Sequence, residues 1–237
     1  MSAPNYLIPP FEPFCTKLIF YRIPKNASTS IYHALGLHNV IKYKEEEIEK
    51  KADPRLYKGW FSATHLKPEE LKNIIGSGIK RYFSFCVVRN PWDRVVSMYK
   101  FAKKNELNKL YGIEGDVDFA SFCKLLYDNK DDPFFIGAHK QTQWTRDLIK
   151  PYKIIKFENL QQEYAEMIKE VGLNINDTKL PSLNSTKHDH YSCYYDSISK
   201  DIIKEIFYDD ITTFDYSFES IVDSSKKIKP NKGGLIL

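Results

Sequence analysis

Cysteine is scarce in this sequence, and the few cysteines are far apart. The four residues are Cys15, Cys86, Cys123 and Cys193, and no two of them form a CxxC pair. This spacing argues against a structural zinc site, and a disulfide framework of the kind found in small secreted domains is not expected at this chain length. The sequence therefore predicts free thiols, most of them buried.

Long apolar runs and a dominant charge sign are also lacking. No stretch approaches the roughly 18 apolar residues of a membrane-spanning helix. The start of the chain, MSAPNYLIPPFEPF, shows no charged region followed by an apolar segment, so no secretory signal peptide is predicted. Lysine and arginine total 35 against 31 acidic residues, and no basic stripe with regular aromatic residues favours a nucleic-acid partner. These absences predict a soluble, cytoplasmic protein.

The chain has ample material for a core. Hydrophobic residues make up 42% of its 237 residues, with 16 Tyr and 15 Phe. This composition suits one large globular domain, and neither a repeat nor a Gly/Ser linker divides the sequence. We predict an extended N-terminal arm over residues 1–16, one domain over 17–222 and a basic tail over 223–237.

Strand and helix patterns alternate along the predicted domain. Three apolar runs rich in strand formers lie at residues 17–23, 80–89 and 152–157. Predicted helices are STSIYHAL ending near Gly36, a helix with Pro91 in its first turn, one capped by Asp118, one ending at Gly172, and SKDIIKEIFYDDITTF. Residues 42–51 form a charge run and residues 103–117 a loop. Such alternation is typical of an α/β domain with a mostly parallel central sheet flanked by helices.

The first chemical motif follows the first predicted strand. In FYRIPKNASTSIYHALG, Lys25 and the hydroxyls of Ser28, Thr29 and Ser30 gather where the strand gives way to a helix. The start of a helix offers unpaired backbone N–H groups and favours an anion such as a phosphate. The GxxxxGK[ST] loop of phosphate-binding NTPases is missing. An ordinary helix capped by hydroxyl residues explains this stretch equally well.

The second motif, RNPWDRVVSMYKF, follows the strongest predicted strand. Arg89 lies at its carboxyl end, where open α/β sheets bind ligands, and Ser97 follows on the next helix. An arginine fork with a hydroxyl suits a phosphate, and Arg94 lies between the two. The alternative is that these arginines pair with Asp93 or another carboxylate, which we expect of Arg94 rather than Arg89.

Taken together, RIPKNASTS and FCVVRNPWDRVVSMY resemble the sulfotransferase family, particularly its carbohydrate-modifying branch. The later stretches HKQTQWTRD and IIKFENL also resemble it, so that the likeness runs from about residue 17 to 220. The resemblance implies a phosphate-binding strand–loop–helix as in nucleotide kinases, with 3′-phosphoadenosine 5′-phosphosulfate (PAPS) as sulfuryl donor and 3′-phosphoadenosine 5′-phosphate (PAP) as product. It implies these cofactor-binding residues: Lys25, Asn26, Ala27, Ser28, Thr29 and Ser30 around the 5′-phosphosulfate, and Arg89 and Ser97 on the 3′-phosphate.

Sulfuryl transfer to a hydroxyl acceptor requires a base and a cation at the departing phosphate oxygen. Lys25 suits the second role. His65 lies between the two motifs, where some similar family members have a catalytic histidine, and His139 lies in the segment that lines the acceptor cleft in similar enzymes. We prefer His65, with an ordinary pKa near 6.5, over His139. Glu158 is expected to cap the helix that it begins.

No metal site is expected. The acidic pairs Asp131–Asp132 and Asp209–Asp210 are read as solvated or capping residues. The acceptor could be a saccharide, but the sequence identifies neither it nor the oligomeric state. Two alternatives stay open: a nucleotide or small-molecule kinase, disfavoured by the missing GxxxxGK loop, and a non-catalytic nucleotide-binding module.

Overall fold

The structure is a computed structural model that describes residues 18–35, 65–104, 117–133, 135–148, 152–173, 178–181 and 189–220. The predicted N-terminal arm, the charge run at 42–51 and the basic tail lie outside the described residues, as do Cys15, Gly36 and residues 105–116 of the predicted loop. The boundaries proposed for the arm and tail therefore stay predictions.

Three parallel strands form the sheet in the described part of the chain. They are β1 (Leu18–Tyr21), β2 (Phe83–Val88) and β3 (Tyr152–Lys156), in the spatial order β1-β2-β3. Tyr21 pairs with Cys86, and Cys86 pairs with Ile154. The predicted parallel α/β sheet, with the strongest strand at its centre, is confirmed. Because the strands are parallel, the loops after all three begin at the same edge of the sheet.

The described helices agree with most of the predicted ones. In chain order they are α1 (Ser28–Ala34), α2 (Pro68–Ile75), α3 (Pro91–Lys104), α4 (Phe119–Asp128), α5 (Thr142–Thr145), α6 (Leu160–Glu170), α7 (Ser197–Ile206) and α8 (Tyr208–Phe214), with 3₁₀ turns at Gly76–Arg81, Ile136–Ala138, Phe157–Asn159 and Tyr191–Tyr194. Asp118 caps α4 by accepting a hydrogen bond from the Ser121 N–H at 2.7 Å, as predicted. Gly172 takes a positive φ of 68° just after α6, which a glycine adopts without strain.

One predicted helix is wrong: residues 199–214 are not continuous. The chain breaks between α7 and α8 at Phe207, whose φ and ψ are −107° and 26°. Phe207 is fully buried in the core. Its burial outweighs the helical propensity of the sequence, and the break gives α8 a direction of its own. The predicted loop at 103–117 also begins too early, because α3 continues to Lys104.

Side chains alternate between the two buried faces of the sheet. Phe20 and Phe85 stack on one face, with ring centroids 4.6 Å apart, and this cluster includes Tyr164 and Met167 of α6. The opposite face holds Tyr21, Cys86, Val88 and Trp144 in a second cluster. A third cluster joins α3, α4 and α7. Burial on both faces explains why β1 and β2 read as nearly continuous apolar runs.

The predicted thiols are free where they are described. Cys86 and Cys123 are buried, and burial raises the pKa of both, that of Cys123 to about 12. These two cysteines are therefore protonated and unreactive at neutral pH. Cys193 is exposed, so two of the three described thiols are buried.

Candidate active site

The loop between β1 and α1 has an unusual backbone. Lys25 and Ala27 take positive φ values of 68° and 57°, while Asn26 between them does not. Each such non-glycine residue costs about 1–3 kcal/mol of strain, which the surrounding structure must overcome. Alternating conformations of this kind direct successive backbone N–H groups to one side and form an anion-binding concavity. The loop thus has phosphate-binding geometry without the glycines that usually provide it.

The hydroxyl residues of this loop do not cap α1. Ala27 occupies the N-cap, and no side chain accepts a hydrogen bond there. Ser28 instead donates from Oγ to the Ile23 carbonyl at 3.1 Å. Ser28 and Ser30 are buried and Thr29 is half-buried. The alternative of an ordinary hydroxyl-capped helix is therefore not what the structure contains.

Lys25 lies half-buried above an aromatic ring. Its Nζ is 3.7 Å from the centre of the Phe101 ring. Burial, and then the positive charge of Arg89, lower the pKa of Lys25 to about 7. Within the described residues no carboxylate forms an ion pair with it. A cation destabilised in this way gains more than an exposed one when an anion binds beside it.

Arg89 follows β2 directly and reaches the first loop. Its Nη1 donates to the Lys25 carbonyl at 3.1 Å, and its Nε pairs with Asp93 at 2.8 Å. The guanidinium lies 4.0 Å from the centre of the Phe157 ring, at the end of β3. All three strand ends therefore meet at this arginine. The expectation that Arg94 rather than Arg89 would pair with a nearby carboxylate such as Asp93 is wrong.

Arg94 faces the interior instead. It is fully buried, its Nε donates to the Pro24 carbonyl at 3.1 Å, and its Nη1 donates to the His139 carbonyl at 3.0 Å. Burial lowers its pKa to about 10 although the charge of Asp210 acts in the opposite direction. Arg94 thus fastens the first loop to the segment before α5, and these two donors are not available to a phosphate.

Asn26 and Ser97 differ in the hydrogen bonds that their side chains make among the described residues. The buried Asn26 amide donates to the Val87 carbonyl at 2.6 Å and to Gln141 Oε1 at 2.7 Å, so this side chain points into the protein. Ser97 lies on α3, eight residues after Arg89, and only 8% of its surface is exposed. Among the described residues it makes no hydrogen bond to the first loop or to Arg89.

The two candidate histidines both lie near Trp144. The His65 Nδ1–H donates to the Arg22 carbonyl at 2.5 Å, and the His65 carbonyl accepts from the Trp144 indole at 3.1 Å. The His139 ring centre is 6.1 Å from that of Trp144, and its Nδ1 is buried without a hydrogen-bond partner. Trp144 therefore contacts the backbone of His65 and the ring of His139.

Neither histidine has the ordinary pKa that the sequence suggested. Burial, then the charge of Arg22 and, more weakly, those of Arg94 and Lys25, lower the pKa of His65 to about 3. Burial, then the charges of Lys67 and Arg94, lower that of His139 to about 4. Both imidazoles are neutral at working pH. The expectation that His65 titrates near pH 6.5 is wrong because sequence gives no measure of burial.

Three polar residues at the site were missed or misread from sequence. Gln141 is fully buried and hydrogen-bonds both loops. Asp210, read as solvated or capping, is fully buried, whereas its neighbour Asp209 is exposed and pairs with Lys140 at 2.6 Å. Glu158 caps no helix: it accepts from the Asn90 N–H at 2.8 Å and the Tyr216 hydroxyl at 3.0 Å. Nothing in the local pattern distinguishes these side chains from surface residues.

Two negative findings concern the described residues alone. No group of three or more His, Cys, Asp or Glu side chains there could hold a metal ion. None of the helices in the same ranges is long and apolar enough to cross a membrane.

Comparison with known proteins gives a family match over most of the chain. The model of the family described as "Sulfotransferase family" matches residues 13–217. An uncharacterized protein of Archaeoglobus fulgidus is 31% identical over 111 residues, which are 44% of this chain and 79% of that protein.

Two solved structures are among the matches, and the first of them resembles the fold. The crystal structure of mouse sulfotransferase SULT7A1 complexed with PAP has a TM-score of 0.54 and 16% identity, over 90% of this chain and 88% of that one. A sulfotransferase from Alicyclobacillus acidocaldarius has a TM-score of 0.45 and 12% identity, over 90% of this chain and 94% of that one.

Proposed function

The chain belongs to the sulfotransferase family, and on this premise we propose that it transfers the sulfuryl group of PAPS to a hydroxyl acceptor. The observation that carries the proposal is the meeting of Lys25 and Arg89, two cations held together by the Arg89–Lys25 carbonyl hydrogen bond. Asp93 is the one carboxylate that ion-pairs with either of them in the described part of the chain. A nucleotide with two anionic groups, one at the 5′ and one at the 3′ position, would balance this excess of positive charge.

The donor set fits the nucleotide. The strained loop at Lys25–Ala27 offers backbone N–H groups to the 5′-phosphosulfate, and Thr29 and Ser30 add hydroxyls beside it. The Ser28 hydroxyl donates to the Ile23 carbonyl and instead holds the loop in shape. Arg89 and Ser97 would hold the 3′-phosphate. A PAP complex of a protein with the same fold, mouse SULT7A1, supports this choice of ligand.

The proposed chemistry assigns a different task to each side chain. Bound PAPS supplies the sulfuryl group and a phosphate leaving group. The Lys25 ammonium stabilises the negative charge that develops on the leaving oxygen. Because Lys25 is half-buried, water screens this interaction less than it would at the surface. The residues described here offer no metal cluster, and the proposal needs none.

We assign the role of base to His65. Because its Nδ1–H donates to the Arg22 carbonyl, the ring is held in the tautomer whose Nε2 is the proton acceptor. The positive charge of Lys25 is one of the weaker causes that lower the pKa of His65. Negative charge on a bound nucleotide would raise that low pKa and make the imidazole a stronger base. His139, whose pKa responds to Lys67 and Arg94, is the rival.

The chemical class of the sulfuryl acceptor is also proposed. We propose a hydroxyl-bearing acceptor, with a saccharide as the first class to test because the motifs resemble the carbohydrate-modifying branch. The cytoplasmic location stays a prediction from the sequence.

A thermal-shift panel tests the nucleotide. We expect PAP to raise the melting temperature, while ATP with Mg²⁺ and a mixed-sequence oligonucleotide do not, because only a ligand that binds the folded state stabilises it.

Arg89→Ala should weaken PAP binding roughly tenfold or more, the value of a lost charged hydrogen bond, and should weaken binding of adenosine 5′-phosphosulfate less. Arg146→Ala, which removes an exposed arginine, is the matched control. Stabilisation by ATP–Mg²⁺ alone would point to a kinase instead.

Asparagine variants test the base. The Asn side-chain amide of His65→Asn can still donate to the Arg22 carbonyl but has no basic nitrogen. This variant should keep its fold and its PAP affinity while turnover falls by roughly 10²–10⁴-fold. His139→Asn should fold and retain most of its turnover. Near-normal turnover of His65→Asn, with loss in His139→Asn, would transfer the role to His139.

A further inference from the structure

We propose that Gln141 is a positioning residue that sets the spacing between the two phosphate-binding loops. Its side chain bridges the loop after β1 and the loop after β2, in addition to the hydrogen bond from Arg89 Nη1 to the Lys25 carbonyl. This inference rests on the proposed function, since it concerns how the same site distinguishes a nucleotide with two phosphate groups from one with a single phosphate group.

The bridge uses both ends of the carboxamide. Gln141 Oε1 accepts from the Asn26 amide at 2.7 Å and from the Arg89 backbone N–H at 2.8 Å. Its Nε2 donates to the Arg89 carbonyl at 2.8 Å. The peptide groups on both sides of the Arg89 Cα are therefore fixed by one side chain, and the same side chain fixes Asn26 between the two strained residues of the first loop.

Gln141 itself is held from behind. Its backbone N–H donates to Asp210 Oδ2 at 2.8 Å, and the next N–H, of Thr142, donates to Asp210 Oδ1 at 2.9 Å. Gln141 and Asp210 both have no exposed surface. In such a setting the side chain cannot exchange these partners for water, so each hydrogen bond constrains geometry strongly. No bulk water is available to loosen the spacing of the two loops.

The consequence is specific to ligands that touch both loops. A nucleotide with 5′ and 3′ phosphates gains from binding the second group only if the two binding loops are already correctly spaced. A nucleotide with one phosphate group does not depend on that spacing. Loss of the bridge should therefore weaken PAP binding much more than binding of adenosine 5′-phosphosulfate.

The test compares two methionine substitutions. Gln141→Met keeps the length of the side chain and removes its three hydrogen bonds. Gln143→Met is the matched control, because the Gln143 side chain has no hydrogen-bond partner among the described residues. Titration calorimetry should show a loss of roughly tenfold or more in PAP affinity for Gln141→Met. The change for adenosine 5′-phosphosulfate should stay within about threefold, and Gln143→Met should match the unmodified protein.

Hydrogen exchange provides a measurement that needs no ligand. Gln141→Met should speed amide exchange at residues 24–30 and 89–94 together, and Gln143→Met should not. If Gln141→Met fails to fold, Gln141→Glu replaces it in the calorimetry and in the hydrogen exchange. Gln141→Glu keeps the oxygen that accepts from the Asn26 amide and the Arg89 N–H, and it removes the donor to the Arg89 carbonyl.

The outcomes separate this inference from the proposed function. If the unmodified protein does not bind PAP, the proposed function fails. Amide hydrogen exchange alone then tests whether Gln141 holds the two loops together. Equal losses for both nucleotides, or exchange that rises throughout the protein, would reduce Gln141 to a purely structural residue. Unchanged PAP affinity in Gln141→Met would overturn the inference outright.

Discussion

At the scale of single residues, the site is defined by two cations that repel each other. Lys25 and Arg89 are linked through a main-chain carbonyl, and the guanidinium charge contributes to the low pKa of the ammonium. Asp93 offsets the charge of Arg89. Most proteins place a carboxylate beside such a lysine, whereas here the described surroundings offer an aromatic ring, Phe101. This unbalanced arrangement favours a bound anion.

The low pKa of Lys25 predicts how PAP binding depends on pH. Free Lys25 loses its proton near pH 7, and a bound anion raises its pKa, so affinity is fully present below pH 7 and falls as pH rises above it. Above that pH the phosphates are already ionised and do not mask the effect. Calorimetry in buffers of different ionisation enthalpy should detect proton uptake at pH 8. Lys25→Met should abolish the uptake, and equal uptake in this variant would assign the proton to another group.

At the scale of elements, α6 supports the strand end that holds Arg89. The turn between β3 and α6 places Phe157 under the Arg89 guanidinium, and Glu158 accepts from the Asn90 N–H. Tyr164 and Met167 of α6 pack on the sheet face formed by Phe20 and Phe85. The packing of α6 thus fixes a part of the site that α6 itself does not reach.

Removing a fully buried side chain of α6 should destabilise the domain. Met167→Ala loses apolar contacts and leaves a cavity against the sheet, which costs about 2–5 kcal/mol of unfolding free energy. Lys169→Ala, two residues away and exposed, should change it by less than about 0.5 kcal/mol. Urea unfolding followed by circular dichroism measures both. Similar values for the two variants would mean that α6 is not anchored through this face.

At the scale of the whole molecule, a buried polar network joins distant parts of the chain. Asp210 of α8 binds the backbone before and within α5, and its charge acts on Arg94 of α3. Arg94 reaches the first loop through the Pro24 carbonyl. The C-terminal helix thereby supports a loop near the beginning of the described chain.

Two adjacent aspartates should differ sharply when they are replaced. Asp210→Ala leaves the N–H groups of Gln141 and Thr142 without their acceptor and the Arg94 charge uncompensated, which costs about 3–5 kcal/mol. Asp209→Ala removes an exposed ion pair with Lys140, worth at most about 1 kcal/mol. Chemical denaturation of the two variants gives both numbers. If Asp209→Ala is as destabilising as Asp210→Ala, the network does not contribute the stability assigned to it.

The sequence by itself determined the alternation of strands and helices that is typical of a parallel sheet. Apolar runs such as FSFCVV and capping residues such as Asp118 specify each element through neighbouring residues alone. It also indicated Lys25 and Arg89, since Arg89 directly follows β2 and Lys25 lies in the loop after β1, and the carboxyl ends of these two strands share one edge. Only the tertiary structure decided which polar residues are buried. Gln141, Asp210 and the low pKa values of the two histidines depend on neighbours far away in the chain, and such burial leaves no periodic signal in the sequence.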